Sequence, residues 1–219
     1  MSETQRNTKE DQKKQNTILF INTTRQMIDE QGLDKISVRK IAERAGFHNS
    51  TIYLYFKDLD QLIMLASMKY FQEYSHMLEL QSQKERTPSE NFYAIWDFFF
   101  VTILKNPPLF YNFFFGKRSD DLDDIMNLYY EIFPEERGEF TTDIETMYFG
   151  RNLKERSLYL LKPLISEENS VTEHNLDMIN EMTVSYCKYK LEQKCQNPDV
   201  DSEKIKNEFL AAVTYITGI

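Results

Sequence analysis

Residues 32–62 read GLDKISVRKIAERAGFHNSTIYLYFKDLDQL, and they carry the clearest structural signal in the chain. Ser37 is suited to cap a short helix that ends at Gly46, and a second short helix is predicted over residues 49–55. Gly46 suits a left-handed turn between them, because glycine has no Cβ to clash with the backbone. Two short helices joined by such a turn have the spacing of a helix-turn-helix.

The apolar positions of this stretch predict which side chains are buried. Those that fall where two crossed helices touch are Ile41, Ala42, Ala45, Ile52 and Phe56. This packing leaves an outward edge on the second helix, formed by Asn49, Ser50, Thr51, Tyr53, Leu54 and Tyr55. Short polar and aromatic side chains at such an edge suit the major groove of DNA.

Five of the six side chains of that edge are suited to a specific partner on a duplex. Asn49 is suited to a bidentate contact with adenine, and Leu54 to packing on a thymine methyl group. Thr51 suits a phosphate or a thymine methyl, while the hydroxyls of Tyr53 and Tyr55 are natural phosphate donors. A second phosphate seat is predicted at the start of the first helix, from Ser37, Arg39 and Lys40.

From Phe20 to Leu62 the chain resembles the DNA-binding domain of TetR-family regulators. The family pattern is Gly, then Thr/Ser-x-Arg-x-Ile-Ala-x-x-Ala-Gly, then a Thr-Leu-Tyr-x-x-Phe helix. The matching residues are Gly32, Ser37, Arg39, Ile41, Ala42, Ala45, Gly46, Thr51, Ile52, Tyr53, Phe56 and Leu62. The resemblance assigns DNA contacts to Arg39 and to the edge residues, and it implies a homodimer that binds double-stranded operator DNA.

Three departures from the family pattern accompany this resemblance. Leu59 stands where the family usually has a phosphate-contacting Lys, and Lys57 is the candidate substitute. His48 replaces a small polar cap and joins Lys57 among the predicted DNA-binding residues. Thr23 and Thr24 replace an Ala pair, which a helix tolerates if both hydroxyls bond back to its backbone.

The composition predicts an all-α protein of two parts. Only 6 Gly and 6 Pro occur in 219 residues, and apolar residues recur at helical spacing. The resemblance implies an N-terminal three-helix helix-turn-helix domain, joined by helix 4 to a larger helical ligand-binding and dimerisation domain, with bounds 12–66 and 67–219. Residues 1–60 hold 10 Lys and Arg against 9 Asp and Glu, whereas residues 61–219 hold 16 against 26. A polyanion is therefore expected to approach the N-terminal part.

Helix boundaries follow from capping and breaking residues. The first helix is predicted from about Gln12, after a polar segment, and a long helix from Leu59, where Asp58 and Gln61 form a capping signal. No Gly- or Pro-rich linker separates the two parts. Further helices are predicted at about 88–105, up to 115, 119–133, 141–149, 153–165, 171–195 and 202–217.

Eleven aromatic residues occur between Phe92 and Phe115, more than one helix face can bury. Some are expected to line a pocket for a small apolar effector, and the alternative is that they are ordinary core. The candidate pocket residues are Trp96, Phe100, Tyr111, Phe114, Met147 and Tyr148. By resemblance the last two helices form the dimer interface, so the operator is expected to be palindromic.

The remaining patterns argue against other classes of protein. No apolar run approaches the roughly 20 residues of a membrane span, which predicts a cytoplasmic protein. His48, His76 and His174 are scattered, and no metal or phosphate motif occurs, so no catalytic residue, metal or cofactor is expected. Cys187 and Cys195 lie eight residues apart, which favours reduced structural thiols over a bridge or a redox sensor.

These patterns argue against an enzyme, and the resemblance implies a ligand-responsive repressor. Two alternatives stay open: a transcriptional activator of the same family, and a helical interaction protein that keeps the helix-turn-helix but binds no operator.

Overall fold

The computed structural model describes the backbone of residues 3–219 and the side chains from Lys9 onward. All regular structure in this range is helical, which confirms the all-α prediction. The α-helices are α1 Glu3–Gln31, α2 Val38–Ala45, α3 Leu59–Ser82, α4 Pro88–Ile103, α5 Pro107–Phe115, α6 Leu122–Ile132, α7 Thr142–Tyr148, α8 Leu153–Leu161, α9 Leu176–Gln196 and α10 Ser202–Thr217. Short 3-10 helices lie at Leu33–Lys35, Asn49–Leu54, Pro134–Glu136 and Lys162–Ser166.

Helix α1 begins at Glu3, well before the predicted start near Gln12. The extra residues are rich in Glu, Gln, Lys and Arg, which favour a helix without contributing an apolar stripe. The apolar periodicity that predicted the start near Gln12 therefore gave no signal for these earlier residues. Of the segment predicted to lie before this helix, residues 1 and 2 fall outside the described range.

Two later helices are shorter than predicted. Helix α8 ends at Leu161 and continues as a 3-10 helix, because Pro163 has no N–H for the α-helical ladder. Helix α9 begins at Leu176 rather than near Val171. Just before it, Thr172 and Asn175 exchange side chain to backbone hydrogen bonds of 2.8 and 3.3 Å, which compete with helix formation.

The chain divides into two compact units. The first contains residues up to Tyr70 together with Ile125–Glu136, and the second contains Phe71–Asp124 and Arg137–Ile219. The division falls inside α3. The segment Ile125–Glu136, which the sequence analysis assigned to the second domain, belongs to the first unit.

The core of the first unit surrounds Phe20 of α1. Its ring centroid lies 5.0 Å from that of Phe47 and 6.1 Å from that of Phe56. Ile41 and Ile52 are fully buried, while Ala45 is only half-buried. These contacts hold α2 and the 3-10 helix Asn49–Leu54 against α1.

Thr24 is an exception within this core. Its side chain is fully buried, yet its hydroxyl has no hydrogen-bond partner. The condition under which a helix tolerates threonine here, that the hydroxyl bonds back to its backbone, is not met at Thr24. A buried polar group without a partner carries a desolvation cost.

The second unit is built on packed aromatic rings. Phe71 of α3 contacts the rings of Phe110, Phe113 and Tyr148. Phe209 of α10 stacks on Phe100 with centroids 4.2 Å apart. Ring-to-ring packing thus accounts for most of the aromatic residues of α4 and α5.

Candidate DNA interface and ligand cavity

The turn of the helix-turn-helix has the geometry that its residues predict. The Ser37 hydroxyl accepts a hydrogen bond of 3.4 Å from the Lys40 N–H and caps α2. Gly46 lies in the left-handed region at φ 78° and ψ 27°, and the Phe47 N–H donates to the Ala42 carbonyl at 2.8 Å. These two features set the direction in which the chain leaves α2.

The outward edge is carried by the 3-10 helix Asn49–Leu54, which His48 caps. His48 Nδ1 accepts from the Ser50 N–H at 3.4 Å and lies 2.9 Å from the Ser50 hydroxyl oxygen. Asn49 is exposed as well. Tyr53 and Leu54 are 58% and 72% exposed, so both side chains are accessible to a partner.

The side chains of this edge differ in how freely they can reach a partner. Thr51 and Tyr55 are half-buried, and Ile52 between them is fully buried. The Tyr55 ring packs on Phe20, and its hydroxyl accepts a hydrogen bond of 2.8 Å from Asn16 Nδ2. Tyr55 thus helps to hold the 3-10 helix Asn49–Leu54 against α1. Sequence reasoning missed Asn16, because it lies 39 residues away and no local pattern links the two.

Positive charge borders this edge. Arg39, Lys40 and Lys57 are exposed, and the Lys40 ammonium donates to the Lys35 carbonyl at 2.9 Å. Arg44, by contrast, pairs with Glu30, and this hydrogen bond lowers the pKa of the Glu30 carboxyl. Arg44 is therefore less available to a polyanion than the three exposed cations.

The start of α3 is held by reciprocal capping. The Gln61 N–H donates to Asp58 Oδ1 at 2.8 Å, and Gln61 Oε1 accepts from the Lys57 N–H at 2.7 Å. Leu59, at the position where a Lys is usual, is half-buried. Lys57 thus presents an exposed ammonium from a fixed backbone.

Residues 20–64 match the sequence profile of the bacterial regulatory proteins of the tetR family. This match places a tetR-type helix-turn-helix at residues 20–64. A curated relative from Haemophilus influenzae, an uncharacterized HTH-type transcriptional regulator, is 26% identical over 93 residues. That match covers 42% of this chain and spans half the length of the relative.

Solved structures of TetR-type regulators share the fold of this chain. RolR in complex with resorcinol aligns with a TM-score of 0.61 at 18% identity, covering 96% of this chain and 91% of RolR. FadR from Thermus thermophilus in complex with lauroyl-CoA aligns with a TM-score of 0.59 at 11% identity, covering 91% of this chain and 94% of FadR. The similarity of fold therefore extends beyond the helix-turn-helix.

The structure distributes the six predicted pocket residues between a cavity, the core and the surface. Trp96 and Met147 line a cavity of about 20 Å³ in the second unit. Phe100, Phe114 and Tyr148 are buried in the aromatic core and do not line it. Tyr111 is half-buried, and its hydroxyl donates to Glu192 at 3.4 Å.

Helices α9 and α10 carry an apolar surface in addition to their buried faces. Met182 and Tyr189 of α9 are 48% and 57% exposed. They line a groove of about 450 Å³ together with Tyr186, Ala212 and Ile216. Exposed apolar side chains grouped in this way are typical of a protein interface.

The described residues form neither a metal cluster nor a membrane-spanning helix. No three of their His, Cys, Asp and Glu side chains are placed to share a metal ion. Within the same part of the chain, every helix is too short or too polar to cross a membrane.

Proposed function

We propose that this protein is a cytoplasmic, ligand-responsive transcriptional regulator, most simply a repressor, that binds a palindromic operator as a homodimer. The observation that carries the proposal is the exposed edge of the 3-10 helix Asn49–Leu54. Its backbone is held by the buried Ile52 and Phe56, so its outward side chains are positioned before any partner arrives. Such preorganisation lowers the cost of binding.

Selection of bound fragments from random double-stranded DNA, with purified protein, tests operator binding directly. We expect the enriched fragments to share two inverted half-sites about one helical turn apart, or a multiple of it, as two-fold symmetry requires. Failure to enrich any sequence would favour the interaction protein that binds no operator. Enrichment of one half-site alone would contradict the homodimer.

Substitutions at the edge then assign the contacts. We expect Asn49→Ala to weaken operator binding about 10- to 100-fold, the value of one bidentate base contact. Tyr53→Phe is expected to cost about 3- to 10-fold, the value of one phosphate hydrogen bond. Asn127→Ala and Tyr93→Phe are matched controls, since both residues are exposed and lie in α6 and α4. Unchanged binding in both edge variants would refute the assignment.

The homodimer is proposed to form through the groove of α9 and α10. A charge buried there without a partner costs several kcal/mol, so Met182→Glu should raise the dimer Kd about 100-fold or more. Tyr93→Glu, at another large exposed side chain that lies outside the groove, serves as the control. Sedimentation over a concentration series measures both, and an unchanged dimer of Met182→Glu would place the interface elsewhere.

Ligand response is supported by the solved relatives. RolR and the Thermus thermophilus FadR were each crystallised with a small molecule, resorcinol and lauroyl-CoA respectively. In this chain the candidate site is the second unit, where the cavity beside Trp96 lies. A ligand that binds there is expected to change operator affinity, which fluorescence anisotropy of a labelled operator measures.

A further inference from the structure

The cavity beside Trp96 contains unpaired polar groups. Trp96 and Ser157 both line it, and both are 2% exposed or less. The indole N–H of Trp96 and the Ser157 hydroxyl have no hydrogen-bond partner. The other side chains that line the cavity are mostly apolar, among them Ile95, Phe99 and Leu153.

A polar cleft of about 530 Å³ adjoins this cavity. Met147 and Leu160 line both spaces, so one layer of side chains separates them. Methionine is unbranched and flexible, and it rearranges at low cost. The cavity alone is about the size of one water molecule, whereas cavity and cleft together reach the size of ordinary ligand pockets.

The cleft is positively charged within an acidic protein. Lys84, Arg86 and Lys162 line it with a single carboxylate, that of Asp143. Among the described residues none of the three cations pairs with a carboxylate, although the chain holds 35 Asp and Glu. Their combined field favours an anion in the cleft.

Arg86 makes the strongest case for an anion. One of its terminal nitrogens, Nη2, donates to the neutral Gln81 side chain. The other, Nη1, is buried and has no partner. A guanidinium with a buried unused donor is suited to a carboxylate or phosphate oxygen, because it binds these groups through paired hydrogen bonds.

We propose that the ligand is an amphipathic anion, with its apolar part beside Trp96 and its carboxylate or phosphate on Arg86, Lys84 and Lys162. This inference rests on the proposed ligand response and specifies the chemistry of the ligand. Entry of the apolar part requires Met147 to move out of the wall between cleft and cavity. Arg156, whose Nε donates to the Gly150 carbonyl at 2.9 Å, adds positive charge to the inner wall.

Fluorescence of Trp96, the single tryptophan of the chain, reads binding without DNA. The probes are octanoate, octyl phosphate and octanol, which share one tail and differ in the head. We expect octanoate or octyl phosphate to shift Trp96 emission with a Kd at least 10-fold lower than that of octanol. The anionic probe with the lower Kd shows whether the cleft prefers a carboxylate or a phosphate. Equal Kd values for anions and octanol, or binding seen by calorimetry without a change in emission, would overturn the proposal.

Variants of the cleft locate the head. Arg86→Gln should raise the Kd of the anionic probe about 10-fold and that of octanol less than 2-fold, and Arg86→Lys should restore most of the difference. Lys154→Gln is the control, an exposed lysine of α8 that does not line the cleft. If Arg86→Gln raises the Kd of the anionic probe and of octanol by the same factor, Arg86 does not bind the anionic head and the proposal is refuted. Melting curves show whether each variant is folded.

The two proposals fail separately in these assays. If the probes bind as expected and no operator is found, the regulator proposal fails and the ligand assignment stands. If an operator is found and the anion preference is absent, the reverse holds.

Discussion

Thr24 offers a test of the packing of the first unit through stability. Its side chain is fully buried, and its hydroxyl has no acceptor or donor within reach. Valine has nearly the same shape and a similar helix propensity, so Thr24→Val replaces the hydroxyl without disturbing α1. The variant removes the desolvation cost of one unsatisfied group, which is about 1–3 kcal/mol.

We therefore expect Thr24→Val to raise the free energy of unfolding by about 1 kcal/mol or more. For a chain of this length that corresponds to an increase in Tm of about 2–4 °C. Urea denaturation followed by circular dichroism measures the difference, at one fixed protein concentration because a dimer's apparent stability depends on it.

Thr102→Val is the matched control with the opposite expected sign. Thr102 is also buried, but its hydroxyl donates to the Phe98 carbonyl at 3.1 Å. Losing that satisfied hydrogen bond should cost about 1 kcal/mol. If both variants change stability in the same direction, or if Thr24→Val is destabilising, the inference that the Thr24 hydroxyl is unsatisfied is refuted.

Three further outcomes are expected. Gly46→Ala should lower the free energy of unfolding, measured by thermal melts, by about 1–2 kcal/mol. Gly32→Ala should lower it more, because Gly32 at φ 82° and ψ 163° occupies a backbone region that is nearly closed to other residues. The reverse order would contradict the backbone geometry. Lys57→Gln should lower the slope of log Kd against log salt for the operator by about 1, and an unchanged slope would remove Lys57 from the interface. Cys187 is buried, and burial raises the pKa of its thiol. Iodoacetamide should therefore label Cys195 in the folded protein and Cys187 only after unfolding. Rapid labelling of Cys187 in the folded protein would favour the alternative that it is a redox sensor.

Much of the candidate DNA interface could be predicted from short-range patterns. The Ser37 cap, the left-handed Gly46 and the start of α3 at Leu59 each depend on groups within about four residues. The exposure of Tyr53 and Leu54 followed from the same periodicity that buries Ile52 and Phe56. The contact between Tyr55 and α1 could not be predicted in this way, because the hydrogen-bond partner of Tyr55, Asn16, lies on another helix.

The proposed ligand site was far harder to predict from the sequence than the candidate DNA interface. The count of aromatic residues suggested a pocket, but most of these rings pack on one another, and only Trp96 and Met147 of the six candidates line the cavity. Arg86, Ser157 and Lys162 went unnoticed because they come from separate segments of the second unit. Nothing in their local sequence distinguishes them from surface residues.

Features that depend on neighbouring residues could be predicted from the sequence, whereas features that depend on distant residues required the tertiary structure. Caps, helical periodicity and left-handed glycines act between neighbours in the chain, so residues 32–62 specify a helix-turn-helix without reference to the rest. The unsatisfied hydroxyl of Thr24, the cluster of cations at Arg86 and the cavity at Trp96 arise where distant segments meet. Packing decides which polar groups find partners there, and only the folded chain brings those segments together.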